Sequence, residues 1–332
     1  MSAAGTPTSP AVSELTIAAL NDGFPIKATL FAPSPSGAAG PAVLVSAATG
    51  VPRTFYAAFA QYLAERHGCA VLTYDYRGHG DSLPAAVGTQ HPLSRLQHIH
   101  IHKEWAQNDQ AAAVKHLHES FPGRPVVLVG QSVGCHIAPL NPLRHLVSRY
   151  VFISANNAYW GYSTSRLLTY SFPWLVETTS VVVAPWRPAD RYFPARRFGL
   201  CDDLPLGIAR DWAKWTRYPE YCTVEPDVKE LYARFDPGQG NAIAIGFTDD
   251  DFCAGRVAFD SWLRLVPRMQ APLIYLHPQQ VGLKDVGHMG FFKKCCQEGA
   301  WEPVAQFIVA GVEPRFSSVP AGQPSEKARA KL

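Results

Sequence analysis

Residues 125–140, PVVLVGQSVGCHIAPL, limit what this chain can fold into more than any other stretch. The β-branched run 126–129 reads as a buried strand. It ends at Gly130-Gln131-Ser132-Val133-Gly134, and the sequence after that suits a helix. A serine between such glycines, with a strand before it and a helix after it, is the pattern of a nucleophile carried on a strained turn and aimed out of a sheet. Side chains in place of Gly130 and Gly134 would collide with the neighbouring strand and helix. The helix that starts after Ser132 points N–H groups at the place where an oxyanion would develop. The competing interpretation is an ordinary strand–turn–helix junction with a capping serine.

The rest of the chain supplies a sheet for that turn to sit in. Residues 14–20 and 25–31, separated by Asn21-Asp22-Gly23, predict a hairpin. Buried strands are predicted at 42–47, 70–76, 150–155, 241–248 and 272–276. Helices are predicted at 53–67, 105–120, 255–265 and 301–312. This alternation predicts a mostly parallel sheet covered on both faces, with the active site beyond the carboxyl ends of its strands. The alternation stops between 157 and 238. Residues 157–222 hold 14 aromatics in 66 positions, and five of the eight tryptophans of the chain. That density predicts a mainly helical lid with an apolar inner face. Arg187, Arg191, Arg196 and Arg197 make it locally basic; a solvated face is the plainer expectation, an anion site the sharper one.

Composition narrows the setting. Of 332 residues, 47% are hydrophobic and 17% charged, enough to bury a sizeable core, and a net charge of +3 is too mild to argue for nucleic acid. Seven cysteines, an odd number without metal-ligand spacing, favour a reducing compartment over a disulfide framework. The N-terminal residues lack the pattern of a signal peptide, and no run of about 18 apolar residues predicts a membrane span. Residues 1–12 are expected to be flexible and 314–332 to be a disordered tail. The tail ends Ala330-Lys331-Leu332, similar to the Ser-Lys-Leu peroxisomal address. In a eukaryotic host a peroxisomal import receptor would be its partner; otherwise a cytoplasmic location is expected.

The order of strands around Gly130 to Gly134 resembles the α/β-hydrolase superfamily over most of residues 14–312. Residues 74–82, YDYRGHGDS, look like its strand-to-loop signature. Gly246-Phe247-Thr248-Asp249 looks like its acid-bearing turn, and residues 286–292, VGHMGFF, like its histidine loop. Residues 47–50 together with GHMGFF resemble a predicted-hydrolase lineage near the serine aminopeptidase-like and homoserine-acetyltransferase-like branches. Two positions depart from the pattern: Gln131 stands where histidine is common, and Cys135 where glycine is common. The resemblance implies an α/β fold with a core of residues 13–156 and 239–313 and a lid of residues 157–238 inserted after the sixth strand.

Three roles then occur in the order this fold expects. Ser132 is the nucleophile. His288, after the last strand, is the base and later the acid. Asp249, first after its strand, orients the histidine, with Asp250 as the alternative. The oxyanion donors are expected to be the N–H of Val133 and that of Ala48, with Thr49 second. The run Gln97-His98-Ile99-His100-Ile101-His102 puts three histidines at alternate positions. No nearby carboxylate or cysteine motif supports a metal there, so a polar edge is expected and neither metal nor cofactor is assigned. The implied activity is hydrolysis of an ester, thioester or lactone with an apolar acyl group. An acyltransferase using the same triad and a ligand-binding receptor that retains it are the alternatives. Epoxide hydrolases and dehalogenases of this fold use a carboxylate where Ser132 stands.

Overall fold

The structure, a computed structural model, describes residues 10–33, 39–85, 87–163, 166–183, 185–251 and 255–317. Strands β1 (Ala11–Ala18), β2 (Pro25–Ala32), β3 (Ala42–Ser46), β4 (Ala70–Tyr74), β5 (Val126–Gln131), β6 (Val147–Ile153), β7 (Ala242–Phe247) and β8 (Leu273–Leu276) form one sheet. Their spatial order is β1-β2-β4-β3-β5-β6-β7-β8. The hairpin of β1 and β2 is antiparallel, and so is its junction with β4; every other pairing is parallel. Every residue of β3, β4, β5 and β7 is buried, so both faces of the central sheet are covered, as continuous apolar runs require. β1 lies at the edge and is mostly exposed.

Helices α1 (Ala57–His67), α2 (Ala111–Ser120) and α3 (Val133–Ile137) lie among the first six strands. Helices α4 (Arg166–Val183), α5 (Leu206–Trp215) and α6 (Pro226–Ala233) lie between β6 and β7, and α7 (Gly255–Leu265) and α8 (Glu302–Ala310) complete the chain. One helix differs from its predicted form. Instead of starting at Trp105, the chain winds from Ile101 to Gln110 in wide π-type turns before α2. There Asp109 and Gln110 are fully buried and point to different partners: Asp109 to Arg77, Gln110 to Ser46.

Two buried arginines tie the signature loop to the hairpin. Arg53 reaches Asp75 (2.5 Å), Asp81 (2.7 Å) and Glu14 (2.5 Å). Arg77 reaches Asp22 (2.5 Å) and Asp109 (2.6 Å). Gly80 must be glycine, because a Cβ there would lie 2.3 Å from an oxygen of Asp75. His79 is enclosed beside Tyr76 and Trp105, and burial pushes its pKa down to about 3. The loop is therefore a structural brace.

Among the described residues no helix is long and apolar enough to cross a membrane. Residues 1–9 and 318–332, including Ala330, Lys331 and Leu332, lie outside the described residues. Of the expected tail, Phe316 packs against the main core and the Ser317 carbonyl accepts from Gln280 Nε2 at 3.0 Å.

Candidate active site

Register places the parts. β3 and β5 are paired so that Ser46 faces Gly130, which sets the end of β3 beside the turn that follows β5. On that turn Ser132 has φ 51° and ψ −115°, a region side chains avoid. Its own N–H is held by the carbonyl of Ile153 at 3.0 Å. A Cβ on Gly130 would lie 2.7 Å from the carbonyl carbon of Gly134, and one on Gly134 would lie 2.1 Å from the Ser46 carbonyl oxygen. Both glycines are thus required by close approach, one to the helix that follows and one to the neighbouring strand.

The carboxylate at the His288 ring is that of Asp250, the alternative, and not that of Asp249, which was expected there. His288 Nδ1 lies 2.8 Å from Asp250 Oδ2, and both side chains are buried. Asp249 Oδ2 instead accepts the N–H groups of Val286 (2.8 Å) and Gly287 (3.0 Å), which fixes the histidine loop from its backbone. The reason is local. Thr248 still pairs with β8 through the Leu276 carbonyl, and the chain then turns, with the Asp250 N–H on the Phe247 carbonyl. The first aspartate is left facing the loop backbone and the second facing the ring. Phe291 and Phe292 anchor the far end of the loop. They are buried against Phe59 and Tyr56, and the Phe291 carbonyl accepts from Trp301 Nε1 at 2.6 Å.

The oxyanion side also departs from expectation. The Ala48 N–H is already given to the hydroxyl of Tyr56 at 2.8 Å, so Ala48 is not a free donor. Thr49, the second choice, lines the same cavity as Ser132, and its N–H has no acceptor among the described residues. Val133 also borders that cavity.

Gln131 joins the three loops. Its Oε1 accepts from Tyr56 Oη (2.7 Å), and its Nε2 donates to the His288 carbonyl (2.9 Å) and approaches Met289 Sδ (3.4 Å). One fully buried amide therefore links the turn bearing Ser132 to the histidine loop directly and to the Ala48 loop through Tyr56. Beneath them lies a second buried set, in which Ser46 Oγ meets Tyr74 Oη (3.0 Å), Tyr76 Oη (2.8 Å) and Gln110 Nε2 (2.8 Å). Buried polar groups that are all paired hold a site rigidly.

Ser132 and His288 open onto one cavity of about 430 Å³. Its walls are mostly apolar. Val51 and Ile101 contribute from the core side, and Ala158, Leu200, Cys201, Trp212 and Tyr221 from the segment between β6 and β7. Thr49, His136 and Asn156 add polar side chains; burial pushes the His136 pKa down to about 3. Burial pushes the Cys201 thiol up to about 12, so it is no rival nucleophile near neutral pH.

A family model described as alpha/beta hydrolase family matches residues 42–304. The chain belongs to the alpha/beta hydrolase family. No curated protein matches it in sequence. Among solved structures, it is similar to DcsB in complex with its substrate analogue, at 14% identity, covering 90% of this chain and 99% of that one with a TM-score of 0.58. It is similar to a soluble variant of monoglyceride lipase from Saccharomyces cerevisiae, at 13% identity, 91% and 94% coverage and a TM-score of 0.56. A putative aryl esterase from Burkholderia cenocepacia is similar at 17% identity, 89% and 98% coverage and a TM-score of 0.51. At these identities the likeness is one of fold.

For the basic cluster and the cysteines the structure follows the plainer of the sequence expectations. Arg187, Arg191, Arg196 and Arg197 do not line the catalytic cavity; Arg187 pairs with Asp190 and Arg196 with Asp202 on exposed ground. Among the described residues all six cysteines are free. Tyr56, whose hydroxyl bridges two loops, carried no motif. The one signal for the bridge was Gln131, visible as a departure from histidine before the serine.

Proposed function

We propose that this alpha/beta hydrolase is a serine hydrolase that cleaves carboxylic esters with an apolar acyl part through an acyl-enzyme, the same chemistry extending to thioesters and lactones. One observation carries the reading: Ser132, on a strained turn, opens onto the same apolar cavity as His288, whose Nδ1 is held by buried Asp250. In the first step Ser132 Oγ bonds to the ester carbonyl carbon while its proton passes to His288 Nε2. Asp250 keeps the proton on Nδ1 and stabilises the imidazolium. The N–H groups of Val133 and Thr49 receive the developing oxyanion. Collapse breaks the bond to the alkoxy oxygen, which leaves with the proton from His288. Water then repeats the sequence, giving the acid and free Ser132.

A cavity of about 430 Å³ lies within the range for small-molecule sites, and its lining favours an apolar acyl chain over a charged one. In this reading residues 157–238 act as a lid that sets which chain fits. The test is intact-protein mass after fluorophosphonate treatment, with a chain-length series of esters run beside it. One adduct on the wild type and none on Ser132→Ala, with ester turnover lost in the same variant, is expected. An unlabelled wild type, or full turnover in Ser132→Ala, would remove the acyl-enzyme mechanism.

A further inference from the structure

A second cluster lies outside the catalytic cavity. His100, His102 and Asp211 each offer one ligand atom, and these atoms lie within 4.8 Å of one another. The two histidines flank Ile101 at the start of the wide-turned helix, and Asp211 comes from α5, 110 residues beyond Ile101. The carboxylate that the sequence did not place near the histidine run is thus delivered by the fold. His100 Nδ1 is 2.9 Å from Asp211 Oδ1, and His102 Nδ1 is 3.9 Å from Asp211 Oδ2. An ion held tetrahedrally by bonds of about 2.0–2.2 Å needs ligand-to-ligand edges of about 3.4 Å; the two imidazoles face different oxygens of Asp211, so the three ligand atoms, within 4.8 Å of one another, close up slightly on binding.

The surroundings suit a bound cation. His102 is 7% exposed, and its Nδ1 has no hydrogen-bond partner. Such an atom in a buried place asks for one. Its other ring nitrogen faces Asp227 at 3.9 Å, the carboxylate-behind-imidazole arrangement that orients histidine ligands. Asp211 Oδ2 is steadied by the Ile101 N–H at 2.8 Å. The cluster opens onto a cavity from which a water could complete the coordination. Of the four cations lining that cavity, Arg210 pairs with Glu177 and Lys214 with Glu225, each at 2.7 Å, while Lys103 and Arg217 also border it.

We propose that His100, His102 and Asp211 form a zinc site, with water as the fourth ligand, that clamps α5 to the start of the wide-turned helix. Two imidazoles and one carboxylate are a donor set zinc accepts. On binding, the proton on His100 Nδ1 moves to its half-exposed Nε2, so the ring stays neutral and Nδ1 takes the metal. The residues next to the ligands, Ile101 and Trp212, both line the catalytic cavity. The ion would therefore fix the distance between two of its walls.

The test uses the full chain carrying Cys295→Ser, because Cys295 is exposed beside Cys296 and could bind zinc itself. After chelator treatment it is titrated with zinc by calorimetry and with cobalt by absorption, without any turnover. One ion per chain, with the visible bands of tetrahedral cobalt, is expected. His102→Ala and His100→Ala should each weaken zinc binding at least about tenfold, while His98→Ala, outside the cluster, leaves it unchanged. Zinc should raise the Tm of the parent and not of the His100→Ala, His102→Ala pair. If His102→Ala fails to fold, His100→Ala, on a half-exposed side chain, decides alone. No ion bound at millimolar zinc, or equal affinity in parent and His100→Ala, would overturn the site.

Discussion

The catalytic cavity has two walls built on different principles. The sheet-side wall is held by directional bonds through buried side chains: Gln131 to the histidine loop, Tyr56 to Ala48, Asp249 to Val286 and Gly287. The opposite wall, from the segment between β6 and β7, is built mainly on apolar contact, with Asp211 of α5 as its directional tie to Ile101. Phe172, Phe193, Leu204 and Leu206 form its own small core, with Trp212 packed against it. Its outer surface leaves Trp186 92% and Leu167 82% exposed. Hydrogen-bonded geometry fails abruptly when one partner is lost, whereas apolar contact repacks and degrades by degrees. In the proposed mechanism the reacting atoms sit on the first kind of wall and the selection of substrate on the second.

Substitutions can break that contrast. The largest effect is expected at the reacting atoms. Ser132→Ala and Asp250→Asn should each lower kcat on a good ester by about 10⁴-fold. Asp249→Ala, which removes only a backbone tether, should lower it by about ten- to a hundredfold. Equal kcat losses in the two aspartate variants would erase the division of labour between them. Next comes Gln131→Leu, which leaves the His288 carbonyl and the Tyr56 hydroxyl without their partner. A fall of about thirtyfold in kcat with little change in KM corresponds to about 2 kcal/mol for that lost bonding. A change confined to KM would mean the bridge does not position the reacting groups.

On the apolar wall, Trp212→Ala should raise KM for long acyl chains by about three- to tenfold and leave short chains nearly untouched. A large loss in kcat for acetyl esters would show that this wall too carries directional positioning. The smallest effect is on stability. His79 and His136 are buried and remain neutral down to about pH 3, whereas in the unfolded chain each takes a proton near its ordinary value of 6.5. The unfolded state then binds more protons, so stability is present at neutral pH and is lost on acidification. The loss is about 1 kcal/mol per histidine between pH 6.5 and 5.5. Chemical denaturation of His79→Phe over that window should show about 1 kcal/mol less pH dependence than wild type; an unchanged dependence would exclude His79 as a source.

What could be read from the sequence follows the same division. Interior parallel strands announce themselves as local apolar runs, and the demands on Gly130 and Gly134 follow from one short turn. The choice between Asp249 and Asp250 was not local, because it depends on how far Thr248 stays paired with β8. The partner of the Ala48 N–H is not legible either, because the hydroxyl that takes it lies on Tyr56, a residue without a motif. The histidines at 100 and 102 were visible, but the carboxylate that meets them is at 211. Aromatic density marks the segment after β6, yet apolar contact obeys no spacing rule, so which residues face inward is set by the tertiary fold alone.

The turn at Ser132 has a consequence for inheritance. Its backbone is held where glycine alone is at ease, at φ 51° and ψ −115°, and such strain amounts to about 1–3 kcal/mol. Glycine at this position would relax the strain while ending turnover. If the proposed chemistry is what holds serine there, a lineage released from it would find a downhill mutational path at codon 132.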